Sequence, residues 1–350
     1  VIGVEHVRRR SIVAFPIFVL TILLFVSISF AESAWRFVVA CDSRGSNNGV
    51  NATILSELAD EFVKQHPDLV IFPGDLVSGN NPSESVMESQ FRTWRNIMKP
   101  VYDAGVAVYP CRGNHDDDNV NAWNNVFGDL PSNGPAGQIH MTYSVVHKNA
   151  LIISLDQFVN PHRVNQPWLD DQLANNTKPH LFVFAHEPAF KVYHSGGPES
   201  YPDNRDAFWR SIADAGCRMY FCGDDHFYNH ARIDDNDGNP QNDVHQFVVG
   251  TAGAPLYDWA GVYDGNNTSY LPKKIFHDKR YGYVLVEVDG LEVTAKWMAR
   301  TAPGVYQVSE IWNYTAVPEP ATLVLLLVGA GFVAYRQRKI FHLACWESKD

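Results

Sequence analysis

A chain of 350 residues with 45% hydrophobic and 13% aromatic side chains has ample apolar material for a large core, which excludes general disorder. Its formal net charge is −11, and because the ends are basic, residues 32–316 carry 21 Lys and Arg against 35 Asp and Glu, a net −14. So acidic a body argues against nucleic acid as a stable partner, since phosphate-backbone affinity is carried by Lys and Arg; a compact phosphate beside a bound cation remains compatible with it.

In chain order, Arg8-Arg9-Arg10 precede an apolar segment from Ile12 to Phe30. Ser29-Phe30-Ala31 fits the small-x-small cleavage pattern of a secretory signal peptide, so residues 1–31 are expected to direct export. The run approaches membrane-spanning length, which leaves an uncleaved anchor as the alternative. Neither an internal repeat nor a long low-complexity linker interrupts 32–316, and one domain is expected there. Phe37–Cys41 is continuously apolar, as a strand buried on both faces is, and ends in the polar turn Asp42-Ser43-Arg44-Gly45. Ile54, Leu55, Leu58 and Phe62 recur at helical spacing behind Asn51 or Thr53 as N-cap, which predicts a helix over about 52–65. The unit repeats with a strand at Leu69–Phe72, a loop, and a helix over about 84–104. Val106–Pro110 is a further apolar run.

Thr142–Val146 and Leu151–Leu155 flank His147-Lys148-Asn149 as a hairpin. A short helix at 168–173, a strand at Leu181–Ala185, a helix at 206–215 and a strand at Met219–Cys222 follow. Gln246–Gly250, Tyr283–Val288 and Glu292–Met298 are expected as antiparallel strands of a second sheet. The stretches 194–204, 234–243 and 251–280 show no clear periodicity and read as loops. Alternating β and α elements predict the α/β class, with two packed mixed β-sheets flanked by helices in an α/β/β/α sandwich.

At the far end, Val317-Pro-Glu-Pro320 precedes fifteen uncharged residues, Ala321–Tyr335, and the basic cluster Arg336-Gln-Arg-Lys339. Fifteen helical residues reach only about 22 Å, short of a bilayer core of roughly 30 Å. Basic residues on the outer side of both apolar segments put both tips in the cytoplasm and the body outside. Residues 317–339 resemble a PEP-CTERM sorting signal. That resemblance implies processing by an exosortase, membrane contact through the termini before processing, and a Gram-negative periplasmic, cell-surface or extracellular-matrix destination. The tail at 340–350 departs from it, since such signals stop at the basic cluster.

Five apolar runs end in residues that bind hard or borderline metal cations: Asp42, Asp75, Asn114-His115-Asp116, His186, and Asp224-Asp225-His226. Carboxylates, an amide oxygen and imidazoles at strand ends offer such cations rigid support. One carboxylate, Asp75, has two oxygens with which to bridge a pair of metals about 3.5–4 Å apart.

In order, Asp42-x-Arg44, Gly74-Asp75 with Gly79, Gly113-Asn114-His115-Asp116, His186 in Ala185-His-Glu-Pro188, and Gly223-Asp224-Asp-His226 resemble the motifs of the calcineurin-like metallophosphoesterases over about residues 37–233. The resemblance implies two divalent or trivalent metal ions, with Fe, Mn or Zn as candidates. One would take Asp42, Asp75 and His226, the other Asp75, Asn114, His186 and Asp224. It further implies attack on a phosphate mono- or diester by metal-bound hydroxide, with His115 near the leaving group and Asp116 orienting its ring. Two positions depart from the pattern. Arg44 stands where many relatives carry histidine, removing a ligand but offering a phosphate-binding fork; a surface ion pair is its bland alternative. Asp224 replaces the first histidine of Gly-His-x-His, which changes charge, reach and metal affinity.

Cys41, Cys111 and Cys222 precede ligand-type residues and read as small core side chains, while export permits a disulfide involving Cys217 or Cys222. His194 and His230 are read as ordinary loop or strand-edge histidines. The leading expectation is therefore an exported metallophosphoesterase; the alternative is an envelope protein that keeps the fold, is catalytically impaired, and binds a metal or ligand.

Overall fold

Phe37, Val38 and Val39 are all inaccessible to solvent because their strand, β1 (Trp35–Val39), lies inside a sheet covered on both faces. The computed structural model describes residues 33–263 and 269–316, all within one compact unit, Ser33–Val317. The expected signal peptide, sorting segment and tail lie outside the described residues.

A small ribbon, β2 (Arg44–Gly45) and β3 (Gly49–Val50), leads into α1 (Ala52–Gln65). Asn51 caps this helix by accepting from the Ile54 N–H at 3.3 Å, and Leu55, Leu58 and Phe62 form its buried stripe. It stops at His66, which turns left-handed at φ 49° ahead of Pro67. After β4 (Leu69–Phe72), the helix expected over 84–104 is two helices, α2 (Glu84–Ile97) and α3 (Lys99–Asp103). Pro100 is the cause: it has no N–H for the preceding turn, and its ring clashes with a continuing α-helical carbonyl. The chain continues with β5 (Ala107–Pro110), α4 (Val120–Phe127), the hairpin β6 (Tyr143–His147) and β7 (Ala150–Ser154), α5 (Gln166–Ala174), β8 (His180–Phe184), α6 (Pro202–Asp214) and β9 (Met219–Cys222). Six strands complete it: β10 (Tyr228–Asp234), β11 (Val244–Val249), β12 (Leu271–Asp278), β13 (Gly282–Asp289), β14 (Glu292–Ala302) and β15 (Val305–Thr315).

One sheet has the order β15-β14-β13-β1-β4-β5 and the other β12-β10-β11-β9-β8-β7-β6. The two-residue side-chain period of strands explains how they pack. Phe182 and Phe184 of β8, with Met219 and Phe221 of β9, join the core between the sheets, whereas Leu181, Val183 and Tyr220 turn outward against Phe208, Trp209 and Ile212 of α6. On the far face of the first sheet, α1 and α2 contribute Leu55, Phe62, Phe91 and Trp94. The result is the expected α/β/β/α sandwich.

The expected second-sheet trio is divided. Strand β11 runs parallel to β9, because β10 carries the chain back antiparallel before it re-enters the seven-stranded sheet. Strands β13 and β14 instead extend the six-stranded sheet from β1. Within 251–280, taken as loop, β12 pairs with β10; as a half-exposed edge strand with Pro272, Lys273 and Lys274 it has no apolar alternation to betray it. The predicted loop 194–204 likewise includes the start of α6.

Candidate metal centre

Strands β1, β4 and β5 run parallel to one another, as do β7, β8 and β9, so the loops after their carboxyl ends carry the ligand-type residues to a common floor. Three of those residues, Asp42, Asp75 and Asp224, have left-handed backbones with φ of 63°, 49° and 64°. Aspartate tolerates this conformation better than most residues, yet the strain marks a backbone held in place by its surroundings. Loop packing is equally tight: a Cβ on Gly223 would lie 2.3 Å from the Asp42 carboxylate and 2.0 Å from Cys41 Sγ.

Backbone carbonyls aim both histidines inward. His186 Nδ1 lies 2.8 Å from the Pro73 carbonyl and His226 Nδ1 2.8 Å from that of Pro255, so each donates an N–H outward and turns Nε2 toward the floor. Around His186 Nε2 stand only acceptors: Asn114 Oδ1 at 3.1 Å, Asp75 Oδ1 at 3.4 Å and Asp224 Oδ1 at 3.7 Å. Such a set demands positive charge. Burial alone would lower the pKa of His186, but the carboxylates of Asp75, Asp42 and Asp224 outweigh it and push the group up to about 9. A cation satisfies the same acceptors. In the other half of the site, Asp42 Oδ1 lies 3.6 Å from His226 Nε2 and is buried without a hydrogen-bond partner, and burial, with the neighbouring Asp75 charge, raises Asp42 to about 7. Asp42, Asp75 and His226 bring ligand-type atoms within 4.8 Å of one another here.

Arg44 lies between these groups. Its Nη1 is 2.8 Å from His115 Nε2, its Nη2 3.2 Å from both His226 Nε2 and the Tyr257 hydroxyl, and its Nε 3.6 Å from Asp75 Oδ2. It is not the surface ion pair of the bland reading. His226 is held neutral, its pKa lowered to about 3 by burial and then by the Arg44 charge. His115 Nδ1 lies 2.7 Å from the Ser78 carbonyl and 2.9 Å from the Asn80 side-chain amide.

Asp116 does not orient the His115 ring. Its fully buried carboxylate accepts from the backbone N–H groups of Gly113, Leu76 and Val77 at 2.9, 3.1 and 3.3 Å, because the loop after β4 folds its amides over this turn. Asp116 thereby clasps the Asp75 loop to the Asn114 loop.

Sequence reasoning underrated two residues. His194 Nδ1 is 3.4 Å from Asp224 Oδ2 and 2.9 Å from Asp225 Oδ1, and hydrogen bonding to these carboxylates pushes it up to about 10. The acidic pair Asp224-Asp225 signals the need for a compensating cation, but nothing in the spacing says which loop supplies it. Tyr257, from a stretch without periodicity, stacks on His226 with ring centroids 4.2 Å apart. Among the described residues, Cys41, Cys111, Cys217 and Cys222 are buried free thiols, so the disulfide that export permits is not formed by Cys217 or Cys222 there. Cys41 Sγ turns to the Pro73 and Gly74 carbonyls at 3.1 and 3.2 Å. Above the floor opens a cleft of about 260 Å³, with Arg44, Asn114, His115 and Asp224 below and His162 and Lys191 among its walls.

The family model for calcineurin-like phosphoesterases matches residues 48–228, slightly more than half of the chain, and takes in every candidate residue except Asp42 and Arg44, which lie just upstream. This chain is a calcineurin-like phosphoesterase family member. A second family model, the PEP-CTERM protein-sorting motif, matches residues 316–339 and indicates export to the cell envelope or surface. No curated protein sequence matches the family member. Among solved structures it resembles purple acid phosphatase PPD1 from yellow lupin (Lupinus luteus) seeds, at TM-score 0.63 and 17% identity over 81% of this chain and 54% of that one. The chain thus spans about half the length of that relative. It also resembles GAP50, the anchor in the inner membrane complex of Plasmodium, at TM-score 0.55 and 17% identity over 83% and 91% of the two chains. A dimetal phosphatase from Danio rerio matches at TM-score 0.52 and 10% identity over 81% and 99%. At these identities the likeness is one of fold. Among the described residues of the phosphoesterase-family chain, no helix is long and apolar enough to cross a membrane.

Proposed function

We propose that this protein is an exported, metal-dependent phosphoesterase that hydrolyses phosphate mono- or diesters in the cleft above Asp75. The observation that carries the reading is the ring of acceptor atoms around His186 Nε2, with Asn114, Asp75 and Asp224 oxygens at 3.1 to 3.7 Å, of which Asp75 Oδ1 takes only the His115 backbone N–H at 3.1 Å. Asp75, Asn114, His186 and Asp224 would hold a cation, beside the position at Asp42, Asp75 and His226 that the family resemblance gives to a second. Metal bound there would polarise a phosphoryl oxygen and lower the pKa of a coordinated water.

The remaining roles belong to the chain. Arg44 presents a guanidinium to the cleft, where it would draw the negatively charged phosphoryl group onto the floor. His115 holds that guanidinium: with its Nδ1–H given to Ser78, its Nε2 accepts from Arg44 Nη1, a positioning part that differs from the place near the leaving group that the family resemblance implies. Pro73 and Pro255 carbonyls fix the two histidine tautomers, and Asp116 keeps the Asp75 and Asn114 loops in register. Residues 1–31 would direct export and 317–339 would be the substrate of an exosortase, around a single catalytic domain at 32–316.

The test is hydrolysis of p-nitrophenyl phosphate and bis(p-nitrophenyl) phosphate by the purified protein, after treatment with chelator and reconstitution with Mn, Zn, Fe or Mg. Turnover that disappears with chelator and returns with metal is expected. Absence of hydrolysis with every metal, in a folded protein that still binds phosphate, would replace this reading with that of a binding module.

A further inference from the structure

The two halves of the floor differ in one respect that sets how many metals they can hold. His186 Nε2 faces acceptors only, whereas the lone pair of His226 Nε2 is already engaged. His226 gives its Nδ1–H to Pro255, so Nε2 is the one ring nitrogen left to coordinate a metal, and Arg44 Nη2 lies 3.2 Å away on it. Coordination and hydrogen bonding use the same lone pair along the same direction. A metal at a usual nitrogen distance of about 2.0–2.1 Å would therefore sit roughly 1 Å from Nη2, inside the guanidinium.

Arg44 is not a loosely placed side chain that could be pushed aside at little cost. Its Nη1 is 2.8 Å from His115 Nε2, its Nη2 also reaches the Tyr257 hydroxyl at 3.2 Å, and its Nε stands 3.6 Å from Asp75 Oδ2. Tyr257 stacks on His226 at 4.2 Å and 19°, closing the ring's face, and the backbone of Arg44 is paired to Val50 in the small ribbon. The guanidinium gives Asp75, 3.6 Å from Arg44 Nε, an organic counter-ion. The other half has no such insertion: His194 approaches Asp224 through Oδ2 and leaves Oδ1 facing His186.

We propose that Arg44 replaces one of the two cations, so that the centre holds a single metal, at Asp75, Asn114, His186 and Asp224, beside a fixed organic cation. The inference rests on the metal-dependent reading above. It makes the departure at 44 a substitution of one positive charge for another, and it predicts one metal-binding step per chain where the family resemblance implies two.

The experiment is metal stoichiometry of the full chain, measured by mass spectrometry after loading with Mn²⁺ and removal of excess, with folding checked by circular dichroism. One equivalent is expected in the wild type, about two in Arg44→His, one still in His226→Ala, and none in His186→Ala. Two equivalents in the wild type, or loss of its single equivalent in His226→Ala, would overturn the inference while leaving the phosphoesterase reading intact. No bound metal in any of these proteins would overturn the metal-dependent reading and the inference with it. Should Arg44→His not fold, the electron paramagnetic resonance of the Mn²⁺-loaded wild type decides: an uncoupled six-line signal supports a single ion, and an exchange-coupled spectrum refutes it.

Discussion

Replacing Asp156 by alanine should loosen the floor from below. Asp156 follows β7 of the seven-stranded sheet and Arg112 follows β5 of the six-stranded one, and their ion pair, Nε to Oδ2 at 2.7 Å, joins the sheets two residues before Asn114 in the β5 loop. Both side chains are buried, at 2% and 0% exposure. Asp156 Oδ1 also accepts the backbone N–H groups of Phe158 and Val159 at 2.9 and 2.8 Å. Losing one charge-assisted bond removes about 1.5–3 kcal/mol, and stranding two backbone donors adds about 1 kcal/mol each. The total of about 4 kcal/mol agrees with the roughly 3–5 kcal/mol that follows when one partner of a buried pair is deleted. Urea unfolding of wild type, Asp156→Ala, Arg112→Met and the double variant measures it. The double variant should cost about 2 kcal/mol less than the sum of the singles, since much of the penalty is an uncompensated buried guanidinium. An Asp156→Ala cost below about 1 kcal/mol, or additivity within about 0.5 kcal/mol, would refute the reasoning.

Asp75→Asn, which halves the charge available to a cation and leaves Arg44 and His186 facing a neutral amide, should abolish metal retention and lower turnover about a hundredfold or more, as loss of about 3 kcal/mol of transition-state stabilisation requires; retained metal and activity would count against the site. Gly79→Ala places a Cβ 1.5 Å from the His115 carbonyl at φ +49°, so a loss of about 2–3 kcal/mol in urea unfolding and displacement of His115 are expected, the latter seen as altered backbone amide shifts. Acid sensitivity should come in part from a buried pair: His245 Nδ1 lies 2.7 Å from His230 Nε2, and His230 Nδ1 2.6 Å from Glu310 Oε1. Burial lowers the pKa of His230, and burial, then the nearby His230 and Arg232, lowers that of His245 well below its ordinary value. Between the unfolded value of about 6.5 and the lower folded values the unfolded chain binds more protons, so stability is present above that window and falls as pH drops through it, by up to ~1.4 kcal/mol per pH unit for each histidine. His245→Phe should flatten this slope between pH 7 and 5, and equal slopes in variant and wild type would contradict it.

The ligand-bearing strands could be read from the chain because two local requirements coincide in them. A strand buried on both faces must be apolar throughout, and a site at its carboxyl end must begin where the apolar run stops, so Phe37–Cys41 before Asp42 and Leu69–Phe72 before Asp75 carry their meaning within a few residues. Helix α1 was legible for the same reason, since its cap and stripe are contained in its own sequence. Strands β12 and β15 were not, because an edge strand has too little buried surface to impose an alternation: Ile275, Val308 and Ile311 are exposed where a pattern would bury them. The division of β11 from β13 and β14 likewise depended on which open sheet edge each strand met.

Sequence alone was thus sufficient for the family, the sandwich class and the strand-end groups Asp42, Asp75, Asn114, His186, Asp224 and His226, since each is written in short-range order. Which of those groups face one another was decided only in three dimensions. Asp116 bonds to backbone amides rather than to His115, His194 arrives from another loop to meet Asp224, and Arg44 lies on the lone pair of His226. Hydrogen bonds and charge contacts act over about 3 Å, whereas the residues making these three contacts are separated by tens to nearly two hundred positions along the chain, and only folding converts the one distance into the other.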